Sequence, residues 1–123
     1  MQHILFIALI ILSSSCSSQV QNDPSVRRVS QVEWKDLLSQ EDDPLIIDVR
    51  TPEEFNGGHL DGAVNIDFRS PDFKERMLEL DKERTLYLYC HSGGRSAKAM
   101  EMLRQEGFES VCELEGGYSQ WEP

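Results

Sequence analysis

The sequence predicts an α/β domain with a mainly parallel central sheet flanked by helices, and three observations point that way. Leu45-Ile46-Ile47-Asp48-Val49 and Thr85-Leu86-Tyr87-Leu88-Tyr89 are short, almost continuously apolar runs, as expected of parallel strands buried on both faces. Segments with apolar residues at helical spacing alternate with these runs, the pattern of strand–helix–strand units. Cys90 directly follows the second run and precedes Gly93-Gly94 and a helical segment, and reactive loops in such sheets sit at the carboxyl ends of strands. A chain of 123 residues holds one domain. A domain of about 100 residues buries roughly two-thirds of its unfolded surface, enough for a core without disulfides.

The first residues read as an address. Residues 4–12 are nine consecutive apolar residues, about 14 Å as helix, against a bilayer core of about 30 Å. They fit the apolar region of a signal peptide rather than a membrane span. Ser13-Ser14-Ser15-Cys16 follows, and small residues directly before a cysteine resemble a bacterial lipoprotein processing site. The expectation is a signal peptide over 1–15, a lipidated Cys16 as the new N-terminus, a tether over 16–26 and a domain over 27–123. A plain cleaved signal and an uncleaved anchor are the alternatives. The tether contains Asn22-Asp23-Pro24-Ser25 and lacks periodicity. Ten such residues have an r.m.s. span of roughly 17 Å. The domain is thus expected outside the cytoplasm, in the periplasm or cell envelope, held to a bacterial membrane through the lipid alone; stable anchoring needs two or more acyl chains.

Within the domain, Ser30 can cap a helix, Glu33 can reach back to complete a capping box, and Val29 can staple against Trp34. Leu37 and Leu38 continue its apolar face until Asp42-Asp43-Pro44 stops it. After the strand at 45–49, Thr51-Pro52-Glu53-Glu54 opens a second helix, with Thr51 as cap, Pro52 in the first helical position and Glu54 closing a capping box. Asp48 and Arg50 straddle the end of that strand and are read as ties to neighbouring loops. His59 has no second His or Cys at ligand spacing, so it reads as a hydrogen-bonded turn residue rather than a metal ligand. Residues 63–66 suggest a short strand, and Ser70-Pro71-Asp72 opens a helix with Phe73, Met77 and Leu80 on one face. Asp81-Lys82-Glu83-Arg84 is a solvated turn. The helix behind the Cys90 loop is expected from Ala97 to Glu106, ended by Gly107. Residues 111–114 form the last strand, and Gly116-Gly117 turns the chain towards Tyr118 and Trp121. Cys112 lacks a glycine loop or a following helix and reads as an inert buried thiol.

The formal net charge is −10, and the first fifteen residues contain no Asp, Glu, Lys or Arg. The acidic balance falls on the domain and argues against nucleic acid or anionic lipid as partners. Any anion that binds must be held locally.

The Cys90 loop can supply such a place. Glycines let successive backbone N–H groups turn inward, and the helix N-terminus adds partial positive charge, favouring a thiolate and an incoming anion together. A free cysteine has a pKa near about 8.5, so roughly 3% is thiolate at neutral pH. Lowering the pKa by about two units takes roughly 2.7 kcal/mol, whereas a helix terminus supplies about 0.3–1 kcal/mol, or up to about 2 when partly buried. The loop amides and Arg95 must supply the remainder. A buried cysteine beside an ordinary strand-to-helix turn is the plain alternative.

Four stretches in order resemble the rhodanese family of sulfurtransferases: Asp48-Val49-Arg50-Thr51-Pro52-Glu53-Glu54-Phe55; Gly58-His59-Leu60-Asp61-Gly62-Ala63-Val64-Asn65-Ile66; Cys90-His91-Ser92-Gly93-Gly94-Arg95-Ser96; and Leu114-Glu115-Gly116-Gly117-Tyr118 with Trp121. They span most of residues 28–121. The resemblance implies a rhodanese-like domain in which Cys90 accepts a sulfane sulfur from an anionic donor such as thiosulfate. The resulting persulfide passes sulfur to a thiol or other nucleophilic acceptor, without metal or cofactor. Arg95 would hold the donor, with His91, Ser92, Gly93, Gly94 and Ser96 completing the binding loop. Cysteine phosphatases sharing this fold have a loop one residue longer between Cys and Arg, which suits phosphate better than sulfur. The remaining alternative is a non-enzymatic sulfur or redox carrier, or a binding module, working with a redox partner outside the cytoplasm. A monomer is expected.

Overall fold

The structure, a computed structural model, describes residues 25–123. The expected signal peptide, Cys16 and most of the expected tether lie outside the described residues. Five strands form one sheet: β1 (Ser25–Val29), β2 (Leu45–Asp48), β3 (Val64–Asn65), β4 (Leu86–Tyr89) and β5 (Ser110–Leu114), in the order β1-β5-β4-β2-β3. Every pairing is parallel. The helices are α1 (Gln31–Ser39), α2 (Pro52–Asn56), α3 (Phe73–Leu78) and α4 (Gly94–Gln105), with a 3₁₀ turn over Tyr118–Gln120.

Two apolar clusters flank the sheet. One gathers Ile47, Val49, Leu86, Leu88, Cys90 and Val111 with Phe73 and Met77 of α3 and Ala99 and Leu103 of α4. The other gathers Val29, Ile46, Tyr87, Tyr89, Cys112 and Leu114 with Trp34 of α1 and, more loosely, Leu37, Leu38, Tyr118 and Trp121. Alternation along the strands produces this division: Leu86 and Leu88 serve the first cluster, Tyr87 and Tyr89 the second. All four residues of β4 are buried, which accounts for the continuous apolar run.

Several boundaries differ from the sequence reading. Ser25 and Val26, assigned there to the tether, belong to β1, which pairs with β5 from Ser25↔Ser110 to Val29↔Leu114. Arg27 and Arg28 on this edge strand are exposed, so apolar patterning does not mark it. Helix α4 begins at Gly94, three residues before the expected start, and ends at Gln105. Strand β3 shortens to Val64–Asn65, and Leu80 packs on the core from beyond the end of α3.

The caps show why the local sequence folds this way. Ser30 accepts the Glu33 amide at 3.2 Å, but the Glu33 carboxylate pairs with Arg27 on β1 instead of reaching back to the cap. At α2, Thr51 and Glu54 form the full capping box with Pro52 at the helix start. The strand end is tied by a buried ion pair: Arg50 Nη2 donates to Asp48 Oδ2 at 2.7 Å and to the Gly58 carbonyl at 2.7 Å. Tyr89 donates to the same Asp48 oxygen at 2.6 Å while accepting the Leu60 amide at 3.1 Å. His59 sits in the loop after α2 with Nδ1 2.9 Å from the Phe55 carbonyl, its ring stacked on Phe55.

Candidate active site

Cys90 follows the carboxyl end of β4, a strand between β2 and β5, and is 1% exposed. The backbone leaves the strand, curls through His91 and Ser92, and enters α4 through Gly93 at φ 108°. That left-handed conformation favours glycine. The neighbouring Gly94 is already helical, and a Cβ there would meet nothing within 4 Å. Of the two glycines, only Gly93 is demanded by the backbone conformation.

The curl turns donors onto the sulfur. The Gly93 amide lies 3.0 Å from Cys90 Sγ, and Ser96 Oγ lies 3.3 Å away. Burial pushes the thiol up, but the Ser96 hydroxyl and the amides of Ser96, Gly93 and Ser92 outweigh it, leaving the thiol below its ordinary value. The helix start is therefore supplemented by hydrogen bonds, led by the Ser96 hydroxyl where the sequence reading looked to the loop amides and Arg95. His91 and Ser92 are exposed at the mouth of the loop. Ser96 is fully buried on the inner side, where it touches sulfur.

Arg95 occupies the first turn of α4. Its Nη1 and Nη2 donate to Glu54 Oε1 and Oε2 at 2.8 and 3.0 Å, so the two groups interlock as a fork. The Arg95 hydrogen bond and neighbouring charge, with the Thr51 amide and hydroxyl, pull the Glu54 carboxyl down to about 2 against a smaller opposing effect of burial. The capping box of α2 and the Cys90 loop are thus joined through one guanidinium. A guanidinium has five N–H groups, and this fork engages only two of them.

Three residues around the loop were not assigned to the site by the sequence reading. Gly117, at φ 60°, lies so close that a Cβ would approach the Cys90 and His91 carbonyl oxygens at 2.5 and 2.6 Å. The next two amides, Tyr118 and Ser119, donate to those same carbonyls at 2.8 and 2.9 Å. The Gly116-Gly117 turn therefore holds the Cys90 loop from behind; the paired glycines were the available signal. Glu113, fully buried on β5, accepts from Ser96 Oγ at 2.6 Å and from Arg28 Nε at 2.6 Å. Arg28 also donates to the Gly93 carbonyl at 3.1 Å. No local motif marks either residue.

Cys112 neighbours Glu113 but points to the other face of the sheet, into the second cluster. Burial pushes its thiol up. Both Cys90 and Cys112 are free thiols. A cleft of about 440 Å³ bounded by Trp34, Leu38, His59, Tyr118 and Trp121 adjoins that second cluster and includes no residue of the Cys90 loop.

The family model of the rhodanese-like domain matches residues 30–123. An uncharacterized protein of Bacillus subtilis is 41% identical over 76 residues, covering 62% of this chain and 59% of that protein. The chloroplastic thiosulfate sulfurtransferase 16 of Arabidopsis thaliana is 40% identical over 85 residues, covering 61% of this chain and 71% of that protein. A crystal structure of a rhodanese-like domain protein from Staphylococcus aureus superposes with a TM-score of 0.69 at 29% identity, covering 78% of this chain and 91% of that one.

Proposed function

Because the chain belongs to the rhodanese-like domain family, we propose that it moves a sulfane sulfur from an anionic donor, such as thiosulfate, to a nucleophilic acceptor through a persulfide on Cys90. The supporting observation is the environment of Sγ: a buried thiol receives the Gly93 amide at 3.0 Å and is drawn below its ordinary value despite burial. Such a thiolate is the nucleophile of covalent catalysis.

In the proposed reaction, the Cys90 thiolate attacks the outer sulfur of thiosulfate. The Cys90–sulfur bond forms as the donor's S–S bond breaks, and sulfite leaves with the electron pair. The negative charge then rests on the outer persulfide sulfur, and inward-turned amides of the loop are suited to stabilise it. An acceptor nucleophile attacks that sulfur and returns Cys90 as a thiolate. Arg95 keeps Glu54 and offers remaining N–H groups to the anionic donor, supplying locally the positive charge that the acidic domain lacks. Exposed His91 and Ser92 meet the donor and acceptor first.

The reading is tested by thiocyanate formation from thiosulfate and cyanide. The wild type should turn over, and Cys90→Ser should lose the activity because an alcohol lacks both the acidity and the sulfur chemistry. Undiminished turnover by the serine variant would overturn the assignment. The accompanying proposal for location is a lipid anchor at Cys16, supported by the apolar run and serines before it.

A further inference from the structure

Ser96 has one hydroxyl hydrogen and two acceptors. Glu113 Oε1 lies 2.6 Å from Ser96 Oγ, and Cys90 Sγ lies 3.3 Å from it. Both Ser96 and Glu113 are fully buried, so water does not supply a substitute. The carboxylate is held by Arg28, whose Nε and Nη2 donate to Oε2 and Oε1 at 2.6 and 3.2 Å. A buried, paired carboxylate is the stronger acceptor when Cys90 carries no charge on Sγ. A thiolate competes for the same hydrogen.

We infer that Glu113 is a positioning residue that sets the state of Cys90 through the Ser96 hydroxyl, holding its hydrogen while Sγ is uncharged and yielding it when Sγ becomes a thiolate. This rests on the persulfide reading for its purpose, because sulfur loading moves the negative charge one atom outward and leaves Sγ uncharged. In the loaded state, Ser96 returns its hydrogen to Glu113, whose remaining partner Arg28 never leaves. Glu113 therefore disfavours the empty thiolate relative to the loaded persulfide and helps the protein retain sulfur. The arrangement gives the two partners opposite signs. Ser96 helps the thiolate, whereas Glu113 restrains it by competing for the hydrogen.

Other charged or titratable groups surround the thiol and must stay constant in a test. Arg28 comes from β1, Arg95 from α4 with its partner Glu54 from α2, and exposed His91 from the loop itself. Asp48 of β2, tied to Arg50 and Tyr89, acts on Arg95. Removing the Glu113 charge would favour a thiolate through the field alone, so a single variant does not isolate the hydroxyl. A double-variant cycle does.

The experiment follows alkylation of Cys90 by iodoacetamide against pH, read on its peptide by mass spectrometry, using the full chain without sulfur donor. Glu113→Gln should lower the alkylation midpoint by about half a unit, or roughly threefold more thiolate below it. Ser96→Ala should raise the midpoint, and adding Glu113→Gln to Ser96→Ala should recover less than half of the single-variant shift. Shifts of the same sign, or a full Glu113→Gln shift without Ser96, would overturn the inference. If Glu113→Gln does not fold, Glu113→Asp decides. It keeps the Arg28 charge pair but draws the carboxylate back from Ser96, so a lower midpoint supports the relay and an unchanged or higher one contradicts it. Alkylation requires no sulfur transfer; failed persulfide formation would instead count against the reaction proposed above.

Discussion

Arg95 holds Glu54 and, in the proposed reaction, also the anionic donor, and its variants should separate the two. Arg95→Ala removes a charge-assisted contact of about 2–3 kcal/mol and should lower kcat/KM for thiosulfate by roughly 30- to 150-fold. Arg95→Lys should recover only part, because an ammonium cannot reproduce the fork. The alanine variant should also lower the thermal midpoint, since Glu54 loses the partner that joins α2 to α4. Glu54 itself gives a pH dependence. Its carboxyl is drawn from an ordinary 4.5 to about 2, so its contribution to stability is present above 4.5 and disappears as pH falls through about 2. The pair is partly exposed, at 18% and 31%, which screens the effect and keeps it modest. Thermal melts through that window should show a smaller decline for Glu54→Gln than for wild type; equal slopes would remove Glu54 from the acid response. Cys90 and Arg95 were readable from sequence because they share one contiguous loop. Arg28 and Glu113 were not, because 85 residues separate them and only the β1–β5 pairing brings them together.

Elements lock the loop from two directions: α4 in front of it and the Gly116-Gly117 turn behind. Gly117→Ala combines strain at φ 60° and ψ −159°, a backbone region essentially reserved for glycine, with a collision against the Cys90 and His91 backbone. Gly62, at φ 79° with nothing within 4 Å of a Cβ, carries positive-φ strain without a collision. Gly62→Ala should therefore lower stability with activity retained, whereas Gly117→Ala should lower both, as measured by thermal melting and thiocyanate formation. Equal activity in the two variants would show that the turn does not hold the loop. The buried strands β2 and β4 announced themselves through continuous apolar runs, and α2 through its cap. Strand β1 did not: Ser25-Val26-Arg27-Arg28-Val29 gains its hydrogen bonds from β5, and its two exposed arginines resemble a linker. The early start of α4 was hidden for a related reason. Gly94-Arg95-Ser96 has little helix signal of its own, and the left-handed turn at Gly93 sets the entry.

At the scale of the molecule, parallel β1, β5, β4 and β2 assemble the candidate site from distant parts of the chain. The strand–helix alternation made this architecture readable before any contact was known. The sheet also separates the two described cysteines, placing Cys90 and Cys112 in clusters on opposite faces. The proposed anchor adds a third cysteine outside the described residues. Labelling with a palmitate analogue in a bacterial host should mark the wild type and lose its signal in Cys16→Ala. Unchanged labelling would refute acylation at that residue. The central claim concerns Cys90 alone and is tested most directly by mass spectrometry of the purified protein after thiosulfate. The prediction is a gain of one sulfur mass on the Cys90 peptide, absent in Cys90→Ser and removed by a thiol acceptor. An unmodified Cys90 in folded protein after exposure to excess thiosulfate would contradict it.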